Sequence, residues 1–422
     1  MAAKKTKKVP HIKPINNFLM LFLLSAFQLL TGYQAASVED EFSAKMLICT
    51  LVFIVFEWIY VTVLYTALHR RNFELEFIAF FLTGVGLTVI GSVDPDACLK
   101  QLIIAICGVV GYTVLVFILG DVDLCMKLRM PVAIGAMVLL LLNLIIGQVK
   151  HGAQNWISIG GITVQPSEFV KVAFIFVGSA TLEKIQTSKN IIKFIAFSVA
   201  CVGTLILIRD FGTALIFFVT FLIIAFMNSG DFKTIGLAVS AAGLGGAIVI
   251  KYKSYVTKRF SAYRHVWDDP YGTGFQQAHI LTGIASGGFL GLGIGNGNIR
   301  HYFQDYLTTT DDVFGVICEE WGFLVGMFIV LCFVAIAVSA LVNSIAARST
   351  FYSICAVAGA GMLLFQTALN IFGITDVLPL TGVTLPFISQ GGSSMISCWA
   401  VLAFIKASDV RTYSYLGGVK KR

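Results

Sequence analysis

The chain has 422 residues, of which 57% are hydrophobic and only 13% charged, and its formal net charge is +7. A soluble domain carries about 25% charged residues, so this composition, with a mean hydropathy of +0.86, excludes an ordinary soluble protein and predicts a chain lying mostly in a bilayer. The nine cysteines show no CxxC or Cys/His spacing, which favours small packing residues over a disulfide framework or a zinc site.

Twelve apolar runs in the sequence are long enough to cross a membrane, since a hydrocarbon core about 30 Å thick takes about 20 residues of helix. The predicted spans are 16–35, 44–68, 75–92, 99–119, 130–147, 167–183, 191–208, 212–228, 234–252, 313–342, 350–373 and 388–407. The predicted fold class is therefore all-α, a polytopic transmembrane helix bundle. Basic residues before the first run imitate a secretory signal, but because more spans follow we interpret that run as an uncleaved first span.

Most of the 30 Lys and Arg residues fall in the N-terminal segment, alternate loops and the C-terminal tail. By the positive-inside rule these parts are cytoplasmic. We therefore predict a multi-pass membrane protein with both termini in the cytoplasm. Because the positive charge follows the membrane topology, it does not indicate a nucleic-acid partner.

One long outside loop, 253–312, departs from this pattern because it is rich in charge. Long loops in compact chains are usually functional or disordered. Its apolar, glycine-rich part, 280–297, is too short to span and predicts a re-entrant or surface-lying helix, since irregular backbone at membrane depth needs cover from protein or water.

The first candidate site motif is QPSEFVK, 165–171. Pro166 can open a helix that Gln165 or Ser167 caps, and Glu168 and Lys171 then share one helix face at the outer boundary. An ionisable residue in a span costs at least about 2.5–3.5 kcal/mol and usually marks a pathway or a site. A plain interfacial ion pair is the alternative.

The second motif, RDFGT at 209–213, is a tight outside hairpin between two apolar spans. Arg209 and Asp210 could simply end a helix at the interface. Alternatively, Asp210 faces a cavity that it shares with Glu168.

The third motif, TDDVFGVICEE, places four carboxylates around the entrance of the tenth predicted span. Asp311 and Asp312 lie at its start, where the helix dipole favours acids, and Glu319 and Glu320 lie two turns further in. Such a group can supply a general base, worth about 10²–10⁴ in rate. Helix capping by Asp311 is the alternative.

The fourth motif, LPLTGVTLPFISQGGSS at 378–394, predicts a broken helix or a loop that dips into the membrane. Its backbone and hydroxyl donors suit an anionic group such as a diphosphate, and the residues concerned are Ser389, Gly391, Gly392, Ser393 and Ser394. A helix-packing kink lined by small residues is the alternative.

In this order the motifs resemble the shape, elongation, division and sporulation (SEDS) family, typified by RodA, FtsW and SpoVE. The resemblance covers roughly 75–410 and rests on HGAQNWISIGGITVQPSEFVK (151–171), DFGT (210–213), YR…DDPYGTGFQ (263–276), SGGFLGLGIGNG (286–297), TDDVFGVICEEWG (310–322) and TGVTLPFISQGGSS (381–394). It implies ten family spans in 75–410, preceded by two extra spans in 1–74 and followed by a basic cytoplasmic tail, 411–422.

The resemblance implies a peptidoglycan glycosyltransferase of the bacterial cytoplasmic membrane. It would polymerise lipid II, an undecaprenyl-diphosphate-linked disaccharide pentapeptide, into β-1,4 glycan strands on the outer face, for elongation, division or sporulation. A class B penicillin-binding protein, which crosslinks the strands, would be its partner. The reaction inverts the donor carbon, so direct displacement is implied. A lipid II flippase and a scaffold that only activates the transpeptidase are the alternatives.

The resemblance also implies site roles. Asp311 matches the family's essential acid and would deprotonate the acceptor hydroxyl. Glu168, Lys171 and Asp210 match further family positions. Substrate binding is expected to involve these three with Gln165, Arg264, Ser389, Gly391, Gly392 and Ser393, supported by Asp312, Glu319 and Glu320.

The charge of the leaving diphosphate would be offset by Arg264, Arg259, Lys171 or a bound divalent cation, Mg or Mn. No residue is assigned to such a cation. The chain departs from the family pattern in having Asn155 instead of Arg, Gln390 instead of Tyr and Asp312 instead of Phe. The last departure leaves open whether Asp311 or Asp312 is the active acid.

Overall fold

The computed structural model describes residues 16–38, 42–150, 153–159, 162–183, 188–233, 263–303 and 305–413, with single residues between 236 and 243. In chain order its elements are α1 Asn17–Ala36, α2 Ala44–Ala67, α3 Glu74–Gly91, α4 Pro95–Ile118, α5 Val122–Ile146, β1 Gln148–Lys150, β2 Ala153–Ile159, β3 Ile162–Val164, α6 Pro166–Leu182, α7 Ser188–Ile208, α8 Phe211–Ser229, α9 Phe275–Gly287, α10 Ile299–Tyr302, α11 Asp305–Thr309, α12 Val313–Glu320, α13 Phe323–Ile345, α14 Thr350–Ile374 and α15 Gly392–Ser408, followed by a 3-10 turn, Val410–Tyr413.

Within these residues, nine helices are long and apolar enough to cross a membrane. The predicted all-α polytopic bundle is therefore confirmed. The predicted ninth span 234–252 lies largely outside the described residues, and so do Arg259, segment 1–15 and tail residues 414–422.

Short-range chemistry sets where the helices begin. The side chain of Asp94 accepts hydrogen bonds from the backbone N–H groups of Asp96 and Ala97, and Pro95 is the first residue of α4. A carboxylate at the N-cap and a proline just inside it satisfy or remove the donors that a helix start leaves unpaired. Asn16 caps α1 in the same way.

The two extra helices, α1 and α2, pack on each other and on α3, and α2 also packs on α4. In the middle of this hairpin the Gln28 Nε2 donates to the Glu57 Oε1 at 2.8 Å, and the Glu57 side chain is fully buried. α1, α2 and α4 all pack on α3, and 83% of the apolar stretch of α3 is buried, against 39% for each of α1 and α2.

The two ends of the bundle differ. One, the loop-rich end, carries residues 148–164, 263–320 and 375–391. At the opposite end a buried network joins α3 to α15: Lys406 donates to Glu76 at 3.0 Å, and Asn72 donates to Asp409 at 2.7 Å. Tyr112 of α4 donates to the other Glu76 oxygen at 2.5 Å.

At the loop-rich end lies a small antiparallel sheet in the order β1-β2-β3, in which Ile157 pairs with Val164. The sequence analysis did not predict it. The loop 375–391 between α14 and α15 has irregular backbone and is largely buried towards Gly391, as predicted for a broken helix.

The predicted tenth span, 313–342, is wrong in its first part. Its first eight residues form the separate helix α12, and the spanning helix α13 begins only at Phe323. The break occurs at Gly322, whose φ is +85°, a conformation that glycine adopts without steric cost. A hydropathy pattern runs straight across this break, because the residues on both sides are apolar.

Candidate active site

A cavity of about 420 Å³ opens at the loop-rich end. Its wall comes from the sheet, the N-terminus of α6, the turn between α7 and α8, the start of α9, and residues of 307–311 and 380–394. Of the predicted site residues it gathers Gln165, Glu168, Asp210, Asp311, Gly391 and Ser393. Motifs that lie far apart in the sequence therefore share one chamber.

Glu168 and Lys171 form a buried ion pair, with Nζ and Oε1 2.8 Å apart and the residues 4% and 2% exposed. The second Glu168 oxygen accepts from the Ser397 hydroxyl at 2.6 Å, and the ammonium also donates to Gln366 at 2.8 Å. Glu168 reaches the cavity wall, while Lys171 lies behind it. The lysine thus neutralises a carboxylate that would otherwise be costly to bury.

Asp210 lies on the cavity wall with Glu168, as one of the two interpretations predicts, and it also caps the start of a helix. Its Oδ1 accepts from the Thr213 N–H at 3.1 Å and so caps α8. Its Oδ2 faces the cavity and accepts from the amides of Gln165 and Asn155, each at 3.2 Å. Gln165 occupies the N-cap position of α6, but its side chain makes no capping bond there, because it is turned towards Asp210. Ser167 is fully buried and does not cap the helix either.

Asp311 lies at the cavity wall on the turn before α12. The Asn370 amide donates both to the Asp311 carbonyl at 2.8 Å and to the Val383 carbonyl at 2.7 Å. Opposite the carboxylate is Gly382, with φ +67°, where an added Cβ would approach the Asp311 Oδ2 to 3.3 Å. Glycine therefore keeps the space in front of the acid open.

Ser389 holds this acid-bearing turn in place. Its hydroxyl donates to the Thr310 carbonyl at 2.6 Å and accepts from the Leu385 N–H at 2.8 Å. Next to it the Gln390 N–H donates to the Thr309 carbonyl at 2.8 Å. The two loops are thus fastened side by side, and Ser389 lies outside the cavity wall.

Asp312 lies behind the wall and is fully buried. Both of its carboxylate oxygens are 2.9 Å from the Gln276 Nε2. Burial raises the pKa of Asp312 to about 7, an effect that the nearby Asp311 increases and the Gln276 hydrogen bonds oppose. Asp312, and not Asp311, is the N-cap residue of α12, and its side chain makes no capping bond. Of the two acids, Asp311 is therefore the one that reaches the cavity.

Glu319 and Glu320 do not line the cavity with Asp311, and their supporting role in the site stays a prediction. Glu319 accepts from the N–H groups of Asn298 and Ile299 at 2.8 and 3.0 Å. Glu320 accepts from Arg300 at 2.7 Å. Both lie at the far end of α12 and hold the glycine-rich loop 288–298 there.

Two further predicted residues lie off the cavity wall. The Arg264 backbone N–H donates to Asp376 at 3.1 Å, and its guanidinium lies 5.4 Å from the Tyr263 ring centroid. Gly392 is the first residue of α15. Conversely, the wall includes residues that the sequence analysis did not single out for binding, namely Trp156, Arg209, Thr273, Gln276 and Gln277.

The described residues contain no group of three or more His, Cys, Asp or Glu side chains placed to hold a metal ion. They offer no ready cage for the divalent cation predicted from the family. That cation remains a prediction.

Fold and site together define an integral membrane protein with a carboxylate-lined chamber at one face of its bundle. The model of the FtsW/RodA/SpoVE family, described as cell cycle proteins, matches residues 88–413, and the chain belongs to that family.

Individual relatives agree with this membership. Stage V sporulation protein E of Bacillus subtilis is 32% identical over 64% of this chain and 74% of its own length. The probable peptidoglycan glycosyltransferase FtsW of Buchnera aphidicola is 31% identical over 66% of this chain and 71% of its own length.

A solved structure described as structural coordination of polymerization and crosslinking by a peptidoglycan synthase complex matches the fold. The TM-score is 0.65 at 26% identity, covering 79% of this chain and 96% of that one.

Proposed function

We propose that this chain is a peptidoglycan glycosyltransferase that polymerises lipid II into β-1,4 glycan strands. The observation that carries the proposal is the position of Asp311: a carboxylate on a rigid turn, facing a chamber that it shares with Glu168 and Asp210. Relatives that carry the name peptidoglycan glycosyltransferase support the same activity.

In this mechanism Asp311 takes the proton of the acceptor 4-hydroxyl as that oxygen attacks the donor sugar carbon. The new carbon–oxygen bond forms while the bond from that carbon to the diphosphate breaks, and the diphosphate leaves with the electron pair. A positioned general base contributes about 10²–10⁴ in rate. The hydrogen bonds of Asn370 and Ser389 fix the turn beforehand, so little reorganisation is needed during the reaction.

Glu168 and Asp210 have a positioning role in this proposal. Each already accepts hydrogen bonds from the protein, through Ser397 for Glu168 and through Gln165 and Asn155 for Asp210. Their remaining lone pairs can accept hydrogen bonds from sugar hydroxyls in the chamber.

The loop-rich end faces outward in this proposal, and both termini are cytoplasmic. Described basic residues concentrate at the opposite end, including Arg70, Lys127, Arg348 and Lys406, as the positive-inside rule requires of cytoplasmic segments. An outward chamber meets lipid II on the side where the cell wall is assembled.

The proposed partner is a class B penicillin-binding protein, which would crosslink the strands as they form. Support comes from the likeness to the structure in which one peptidoglycan synthase complex coordinates polymerization and crosslinking.

The test is lipid II polymerisation by the purified chain together with its transpeptidase partner. Asp311→Asn should lower the rate of glycan formation by at least about 100-fold, as expected for loss of a general base. Asp312→Asn is the matched control, because it changes the adjacent acid, which lies behind the wall, and should keep most of the activity.

Full activity of Asp311→Asn would contradict the proposal. So would wild-type protein that moves lipid II headgroups across liposome membranes without making polymer, because that is the behaviour of a flippase.

A further inference from the structure

The turn between α7 and α8 carries an arginine in a backbone conformation that favours other residues. Arg209 has φ +68°, and the Asp210 N–H after it donates to the Leu205 carbonyl at 3.0 Å. This is the left-handed position at a helix C-terminus, which is usually filled by glycine or asparagine because a Cβ is strained there. Strain of this kind is often found where a side chain is needed for function.

Arg209 is one of the residues that line the chamber, and it is exposed. In the described part of the chain its guanidinium makes no hydrogen bond, ion pair or ring contact. The adjacent Asp210 is occupied by Thr213, Gln165 and Asn155 instead. Arg209 therefore presents an unused set of five donors to whatever enters.

The charges of the chamber wall set Arg209 apart from the other described wall residues. Among the described wall residues the acids are Glu168, Asp210 and Asp311, and the basic residue is Arg209. Lys171 is already committed to Glu168 and Gln366 behind the wall. An anion entering the chamber would be repelled by the carboxylates of the wall and attracted on the Arg209 side.

We propose that Arg209 binds the diphosphate of the lipid-linked substrate, where its unpaired guanidinium meets the open chamber beside Asp210. A guanidinium matches phosphate oxygens with two parallel hydrogen bonds, which a lysine ammonium cannot do. The inference rests on the proposed function, because the diphosphate is the group through which lipid II carries its sugars. It assigns the residue that holds the leaving group on the side of the chamber that Asp311 does not occupy.

The test separates binding from turnover. Affinity of the full-length protein in lipid nanodiscs is measured for undecaprenyl diphosphate and, as the uncharged comparison, for undecaprenol. Arg209→Gly removes the guanidinium while suiting the left-handed backbone, so its melting temperature should equal or exceed that of the wild type. It should weaken binding of the diphosphate about 10- to 100-fold, the loss expected for a charge-assisted pair, and leave undecaprenol binding unchanged.

Three companion variants sharpen the result. Arg209→Asn also tolerates the left-handed backbone and should weaken binding as Arg209→Gly does, whereas Arg209→Lys should retain part of the affinity. Arg264→Gly removes an arginine that also has a positive φ, +60°, but lies off the chamber wall. Its effect on diphosphate binding should be much smaller. Lys100→Gln controls for loss of a surface charge at the same end.

Wild-type affinity in Arg209→Gly would overturn the proposal, and so would an equal loss in Arg264→Gly. In polymerisation with a lipid-linked tetrasaccharide as donor and lipid II as acceptor, Arg209→Gly should raise the KM of the donor, because the donor's diphosphate is the leaving group. A rise in the KM of lipid II alone would overturn the assignment of Arg209 to the leaving group. A wild type that makes no polymer but shows Arg209-dependent diphosphate binding would refute the proposed function and leave this inference intact.

Discussion

Removing Lys171 should be among the most damaging single changes in the site. Lys171→Met keeps most of the volume of the side chain, but among the described residues it leaves the Glu168 carboxylate, 4% exposed, with the Ser397 hydroxyl as its one side-chain donor. Loss of one partner from a buried ion pair typically costs about 3–5 kcal/mol, because the other charge is left uncompensated. Both members of this pair are more than nine-tenths buried, so solvent screening does little to reduce that cost.

The second variant in this prediction combines Lys171→Met with Glu168→Gln. It removes the stranded charge while keeping a side chain that can accept from Ser397. We therefore expect it to be more stable than Lys171→Met alone, although it lacks the same lysine. Thermal unfolding in detergent, followed by tryptophan fluorescence at neutral pH, gives the order wild type, double variant, Lys171→Met. The reasoning is refuted if Lys171→Met unfolds at the wild-type temperature, or if the double variant is no more stable than the single one.

Three other outcomes follow from the structure. The pKa of Asp312 is raised to about 7 from about 4 in an unfolded chain. Its contribution to stability is therefore complete below about pH 4 and is lost as the pH rises through 7, by up to about 4 kcal/mol. Asp312→Asn should make the melting temperature less dependent on pH between about pH 5 and 8.5, and an unchanged pH dependence would contradict the burial argument. Gly322→Ala places a Cβ 2.3 Å from a backbone oxygen and should abolish most folded protein in size-exclusion chromatography, whereas Gly111→Ala, with nothing within 4 Å of its added Cβ, should be recovered at wild-type yield. Lys100→Cys should react with an impermeant maleimide on intact cells, whereas Lys127→Cys should react only after permeabilisation. Labelling of the wild-type protein gives the background, and the reverse pattern would overturn the proposed orientation.

The spans were predictable from sequence because hydrocarbon selects strongly for long apolar helices. The span predicted at 44–68 is the helix Ala44–Ala67, and the span predicted at 350–373 is the helix Thr350–Ile374. Starts were less accurate where a polar turn precedes the apolar run: α4 begins at Pro95, ahead of the predicted 99–119, because Asp94 and Pro95 together fix the first turn.

Other features depend on contacts that no local pattern records. The sheet β1–β3 consists of strands of three to seven residues, too short to stand out within a loop. Glu319 and Glu320 looked like site acids because they share a segment with Asp311, yet the direction in which each points is set by Asn298 and Arg300, which lie in another part of the loop.

The site residues divide in the same way. The sequence predicted Glu168, Asp210 and Asp311 because a carboxylate near hydrocarbon costs free energy and usually marks a functional site. Arg209 could not, since an arginine at a helix end is ordinary at an interface. The fold shows that its backbone is left-handed and that its guanidinium has no partner among the described residues.

The packing of the α1–α2 hairpin on α3 restricts deletion of the hairpin from the chain and its gain or loss in evolution. Gly84 of α3 leaves a space that Gln28 fills: an added Cβ would lie 2.9 Å from the Gln28 Nε2. Deletion of the hairpin would expose that space, together with a face of α3 that packs on protein and not on lipid acyl chains. The extension is thus interlocked with the enzyme body, and gain or loss of one would require compensating changes on the contacted face of the other.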